Sequence, residues 1–157
     1  MQLTNGLDDR AGWSAVGVCP IERTTQILGN RTALLVLREA FYGTTRFEDF
    51  CDRVGMARSV GASRLRALEG ANLLRRRSYQ APGKRAREEY ILTPAGAELE
   101  PIVMGIFSWG RRHVADDAVL DLVHDGCGGG VEAVLECEHG HRVSDTELAL
   151  TPQAHAH

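Results

Sequence analysis

The chain has 157 residues, of which 43% are hydrophobic and 25% charged, with a formal net charge of −3; this is the size and balance of about one globular domain. Its longest aliphatic run, Ala33 to Leu37, is far shorter than the ~20 residues that span a bilayer. The first 18 residues contain Asp8, Asp9 and Arg10 without an apolar stretch, so neither a membrane span nor a secretory leader is expected.

Residues 1–17 carry Gly6, Gly12 and Gly17 among polar neighbours and read as a flexible N-terminal arm. From Pro20 a helical pattern begins, with Ile21, Thr25 and Leu28 on one face and Gly29-Asn30 as its stop. Thr32–Phe41 predicts a second helix, with Leu34, Leu35, Leu37 and Phe41 as core candidates. Arg46–Val54 predicts a third, in which Phe47, Phe50 and Cys51 share a face, and Cys51 reads as core. A fourth runs from Arg58 to Ala71. The pattern then changes to strand-length segments, Leu73–Tyr79 and Arg87–Thr93, joined by the turn signal Pro82-Gly83-Lys84-Arg85. Thr93-Pro94 is a helix start, Thr as N-cap and Pro at the first position. Leu99, Ile102, Val103, Ile106, Gly110 and Val114 form the apolar stripe that follows, interrupted near Pro101. Four helices, a hairpin and further helix predict a mainly α fold with a small β-hairpin wing (α+β): a winged helix-turn-helix over residues 18–115, followed by an acidic extension, 116–157.

The net charge conceals a strong asymmetry. Seventeen of the 18 Lys and Arg, but ten of the 21 Asp and Glu, lie in residues 10–112, whereas residues 113–157 hold one base and nine acids. Residues 58–87 alone hold nine bases against the single acid Glu69. Such a cluster repels itself unless something anionic answers it, and double-stranded DNA is the expected partner.

On the fourth helix Leu65 and Leu68 fall on the back, opposite Ser59, Ala62, Ser63 and Arg66, with Arg58 and Arg64 flanking that face. Gly61, Ala62 and Ser63 are small enough to let the backbone enter a major groove. Arg66 is placed to reach a guanine edge, and Ser59 near the helix N-terminus suits a phosphate. Lys84, Arg85 and Arg87 on the wing suit the backbone or minor groove. Arg75 and Arg77 share one strand face and Arg76 the other, so one side is expected to pair with Glu88 or Glu89.

The ordered segments Cys19-Pro20-Ile21-Glu22-Arg23, Leu34-Leu35-Val36-Leu37-Arg38-Glu39, Arg46-Phe47-Glu48-Asp49-Phe50, Arg64-Leu65-Arg66-Ala67-Leu68-Glu69, Glu89-Tyr90-Ile91-Leu92-Thr93-Pro94-Ala95-Gly96 and Trp109-Gly110 resemble the HxlR-type transcriptional regulators over roughly residues 19–112. The resemblance implies a MarR-like winged helix, a homodimer built through N- and C-terminal helices, and binding to palindromic operators; a repressor is expected. It implies that the fourth helix and wing touch DNA. In such a dimer the reading helices would lie about 34–36 Å apart. Asn30-Arg31-Thr32-Ala33 stands where the family usually has Gly-Lys-Trp-Thr. Met56–Gly61 also departs from the family's common Ile-Ser pattern, so base preference does not transfer.

Four cysteines without tight pairing fit a reducing compartment, and a cytoplasmic protein is expected. Cys19 precedes Pro20 at a helix start, where free N–H groups favour a reactive thiolate; several members of the resembled family sense oxidants or electrophiles at the matching cysteine. The other reading is a small buried apolar residue. All six histidines fall after residue 112. Cys127, Cys137, His139 and His141, with His124 upstream, leave open a structural zinc, a Cys127–Cys137 bridge, or a knuckle with neither; Val131–Cys137 could be a short strand. Apart from that zinc no cofactor is expected. No G-x-S-x-G, Walker A, G-x-G-x-x-G or H-E-x-x-H motif occurs, and no enzyme is expected. The alternative function is a small-molecule-responsive regulator whose pocket, lined by Ile106, Phe107 and Trp109, lies between dimer halves.

Overall fold

The structure is a computed structural model that describes residues 1–80 and 86–152. In chain order it contains β1 (Gln2–Leu3), α1 (Pro20–Leu28), α2 (Arg31–Phe41), α3 (Phe47–Val54), α4 (Arg58–Gly70), β2 (Leu74–Tyr79), β3 (Arg87–Leu92), α5 (Pro94–Ala97), α6 (Glu100–His113) and β4 (Ala149–Leu150). Helices α2, α3 and α4 with the β2–β3 hairpin form the winged helix-turn-helix that the residue pattern predicts. Among the described residues no helix is long and apolar enough to cross a membrane.

The core lies where one stripe from each of α2, α3 and α4 meets the base of the hairpin. Ala33, Val36 and Leu37 of α2, Phe50 of α3, and Leu65 and Leu68 of α4 are fully buried, with Leu74 of β2 closing the bottom. Spacings of three and four put each set on one helical face. Of the α2 residues expected in the core, Leu37 is fully buried, Leu34, Leu35 and Phe41 are half-buried around it, and Ala33 and Val36, not selected from the sequence, fill the rest. Asn30 explains the departure at the start of α2, because its Oδ1 accepts from the Thr32 N–H at 2.8 Å and caps the helix. The Ala33 methyl then fits inside the core, where a larger residue would clash.

The hairpin is antiparallel, with Leu74 opposite Leu92 and Tyr79 opposite Arg87. The Tyr90 N–H donates to the Thr45 carbonyl at 2.7 Å, which ties β3 to the entry of α3. Phe50 and Tyr90 meet edge to face at 6.4 Å, a favourable arrangement for two aromatic rings. Thr93 caps α5 through its Oγ1, which accepts from the Gly96 N–H at 3.0 Å. Gly96 has to be glycine: a Cβ there would lie 2.0 Å from the Leu73 carbonyl oxygen.

The stretch does break into a short and a longer helix: α5 ends at Ala97 and α6 begins at Glu100, with Pro101 in its first turn. The expected single stripe of α6 divides in two: Val103 is buried, whereas Ile102, Ile106 and Trp109 are each more than half exposed. Ile21 of α1 is 74% exposed, and Val16 and Val18 before it also face solvent. Beyond α6 none of the described residues is buried. Residues 131–137 hold no strand; isolated bridges join Val123 to Gly130 and Glu136 to Arg142. Gln2–Leu3 pairs in parallel with Ala149–Leu150, and the terminal amine donates to the Asp145 carbonyl, so the N-terminal strand lies against residues 145–150.

Candidate nucleic-acid interface

Helix α4 presents Arg58, Ser59, Ser63 and Arg66 exposed along one side, with Arg64 half-buried at its edge. Arg66 takes part in no ion pair among the described residues; its Nε donates to the Ala62 carbonyl one turn back at 3.1 Å. Arg58 lies 3.5 Å from Glu48, both well exposed, a pairing of little energetic weight. The Arg64 Nε is shielded from solvent without a hydrogen-bond partner among the described residues. The N-cap of α4 is Ala57, which supplies no side-chain acceptor. The first N–H groups of the helix thus remain available to an external anion.

One of the small residues works differently from the expectation. Gly61 is buried against α3, and a Cβ at this position would lie 2.6 Å from the Cys51 Sγ and 3.3 Å from the Met56 Cε. Its smallness serves the α3–α4 contact rather than entry into a groove. Sequence reasoning also passed over Val60, which is 44% exposed beside Ser59 on α4. An exposed valine among serines and arginines is suited to a thymine methyl.

On the hairpin, Arg76 and Arg77 are both held internally, where pairing on one face was expected. Arg76 reaches Glu69 at 2.9 Å and Glu88 at 3.4 Å, and Arg77 reaches Glu89 at 2.6 Å. Its hydrogen bond from Arg77 holds the Glu89 carboxyl below the usual range, against opposing desolvation. Arg75 is exposed and in no ion pair among the described residues, and Arg87 opens β3 in an exposed position. Lys84 and Arg85, expected at the wing tip, lie outside the described residues. Arg46, exposed beside the hairpin with its guanidinium 5.7 Å from the Tyr79 ring, adds a cation that the sequence reading did not select.

All four cysteines are free thiols, so Cys127 and Cys137 are not bridged. Cys19 is half-buried and forms the N-cap of α1. Burial pushes the Cys51 thiol up, in keeping with its place in the core. The Cys137 thiol is held low by backbone N–H groups of His139 and His141. Among the described residues no three His, Cys, Asp or Glu side chains gather as a metal set, and Cys127, Cys137, His139 and His141 do not come together. The reason is local: Cys127 turns to His124, with Sγ and Nδ1 3.2 Å apart, while the His139 and His141 rings stack on each other.

The candidate pocket residues also separate. Ile106 and Phe107 line a cavity of about 130 Å³ against Leu34, Leu35 and Arg38 of α2, whereas the exposed Trp109 ring lies 5.3 Å from that of His113.

Comparison with known proteins agrees with this architecture. The HxlR-like helix-turn-helix family model matches residues 27–118. A regulator of Mycobacterium tuberculosis, described as an uncharacterized HTH-type transcriptional regulator, is 33% identical over 121 residues, 76% of this chain and 75% of its own length. A second of that description from Synechocystis is 34% identical over 94 residues, 59% of this chain and 68% of its own. Among solved structures, PA1607, described as a candidate transcription factor, has a TM-score of 0.74 at 26% identity, covering 88% of this chain and 98% of that one. The reduced form of the redox regulator HypR has a TM-score of 0.54 at 27% identity, covering 64% of this chain and all of that one. The matched span contains the whole of α2 to α6, and by it the chain belongs to the HxlR-like helix-turn-helix family of transcriptional regulators.

Proposed function

We propose that this regulator acts as a homodimer on a palindromic operator as a repressor, with residues 18–115 forming the DNA-binding and dimerisation domain. α4 enters the major groove: Arg66 and Ser63 reach base edges, Val60 contacts a thymine methyl, and Arg58, Ser59 and Arg64 hold phosphates. Arg87 and the wing-tip residues Lys84 and Arg85 grip the adjacent backbone or minor groove. The observation that carries this reading is the exposed, acid-free side of α4. Ser59, Ser63 and Arg66 all face solvent there, while the nearby Glu69, Glu88 and Glu89 are engaged by Arg76 and Arg77. The exposed row Ile102, Ile106 and Trp109 on α6, with Ile21 of α1, supplies the apolar dimer surface, since exposed patches of this kind mark association sites.

The experiment is selection of genomic fragments by the purified protein, followed by titration of a retained fragment at several salt concentrations. Each phosphate contact contributes about −0.9 to the slope of log K against log salt. A specific fragment with a steep slope is expected; no enriched fragment, or salt-independent binding, overturns the reading.

Cys19 is the proposed switch, oxidised or alkylated to release DNA. It is a half-buried thiol at the entry of α1, next to the proposed dimer surface, and HypR, similar in fold, is a redox regulator.

A further inference from the structure

The segment after α6 has no buried residue among those described, so it has no core of its own and rests on α6. Two ion pairs and one close approach join it to the helix. The Arg111 Nε meets the Asp121 carboxylate at 3.1 Å, and the Arg112 Nη1 meets Glu132 at 2.7 Å. At Gly105 the helix backbone comes close to Ala133, whose methyl would lie 3.2 Å from a Cβ there. Exposed ion pairs of this kind contribute ~0–1 kcal/mol each, and the extension does not fill the space against the helix.

The gap is visible. A cavity of about 400 Å³ is lined by Tyr42 at the end of α2, Met104 and Phe107 of α6, and Leu120, Asp121 and Leu122 of the extension. A second, of about 340 Å³, shares Phe107, Asp121 and Leu122 and adds Ser108, whose Oγ is shielded from solvent with no hydrogen-bond partner among the described residues. Both volumes fall in the range of small-molecule sites, which are apolar clefts with a few placed polar groups. Leu120, Asp121 and Leu122 lie beyond the family-matched residues 27–118, so this cleft depends on the chain's own extension.

We propose that the cleft is an effector site for a small uncharged aromatic molecule carrying a hydroxyl group. The ring lies among Met104, Phe107 and Leu122, where sulfur and aromatic faces favour it, and the hydroxyl donates to Asp121. That carboxylate already accepts from Arg111 but retains acceptor capacity. Charge selects the ligand class. Arg111 and Arg112 are each matched by an acid of the extension, so a ligand of either charge has to break a pair. Occupancy joins α2, α6 and the extension across a gap that the protein alone leaves unfilled. The inference does not rest on the DNA reading, and its test uses no DNA.

The test is titration of the full-length protein with 2-naphthol, followed by the probe's fluorescence and by calorimetry, with limited proteolysis of the extension alongside. Saturable binding at one site per chain is expected, with the extension protected from cleavage. Leu122→Glu weakens binding at least ~10-fold, equivalent to ~1.4 kcal/mol, and 2-naphthoate binds at least ~10-fold more weakly than 2-naphthol. Leu135→Glu, on an exposed part of the extension outside the cleft, leaves binding unchanged. Absence of saturable binding, equal affinity in Leu122→Glu, or equal loss in Leu135→Glu overturns the site, and equal binding of 2-naphthoate overturns the ligand class. Asp121→Asn keeps an acceptor but removes the charge that pairs with Arg111; it is the second variant if Leu122→Glu does not fold, and undiminished 2-naphthol affinity in it removes Asp121 from the site.

Discussion

Gly61 of α4 packs directly on Cys51 of α3, with only 2.6 Å between the Cys51 Sγ and the place where a Cβ would stand. α4 is therefore seated on α3 by a glycine at its docking face. In isolation Gly61→Ala would favour the helix by ~1 kcal/mol, but here the methyl overpacks the contact, at a typical cost of ~1–3 kcal/mol. Gly61→Ala is expected to destabilise the protein in urea denaturation. In a Cys51→Ala background, where the sulfur is gone, the same change is expected to become neutral or stabilising. Additive effects of the two substitutions would show that the contact is not what limits the position.

The arginines of residues 58–87 are expected to divide by their partners. Arg66→Ala should weaken operator binding by ~1–3 kcal/mol and relax preference at one base position. Arg87→Ala should weaken binding of all sequences alike and shorten the salt slope by about one phosphate. Arg76→Ala removes a side chain already held by Glu69 and Glu88; its DNA affinity should change less than that of Arg66→Ala. Fluorescence anisotropy with specific and scrambled duplexes separates the three.

The Arg77–Glu89 pair makes wing stability depend on pH in a defined direction. Glu89 is held below its ordinary 4.5 by the Arg77 hydrogen bond, so its contribution is complete above that value and is lost as the pH falls through the lowered folded value. The melting temperatures of parent and Glu89→Gln are expected to differ at neutral pH and to converge in acid. A gap that widens below about pH 4 would reverse the sign and refute the assignment.

Cys19→Ser tests the switch. Peroxide or a thiol-alkylating reagent is expected to release operator DNA from the parent, and Cys19→Ser is expected to bind without the reagent as well as the parent and to ignore it. The buried Cys51 is expected to react more slowly than Cys19 in mass spectrometry under native conditions.

The α6 surface has its own measurement. Ile106→Glu places a charge in the exposed row with Ile102 and Trp109. Analytical ultracentrifugation is expected to show a dimeric parent and a variant shifted toward monomer, with operator affinity falling in parallel. A monomeric parent that binds the operator tightly would remove the dimer from the proposal.

Local chemistry by itself determined most of the winged helix. The apolar spacings of α3 and α4, the Thr93 cap with Pro94 behind it and the basic content of residues 58–87 are short-range properties, readable because helix period and capping act within a few residues. Only tertiary structure decided which small or charged residue faces which way. Whether Gly61 faces DNA or Cys51, whether Ala33 or Leu34 enters the core, and which arginines find Glu69, Glu88 and Glu89 all depend on partners brought from elsewhere in the chain. The extension carries this furthest: it read only as acidic, and only its folding back onto α6 pairs Asp121 and Glu132 with arginines and opens a cleft between them. No periodicity encodes a cavity, because a cavity is set by how incompletely two distant surfaces fit.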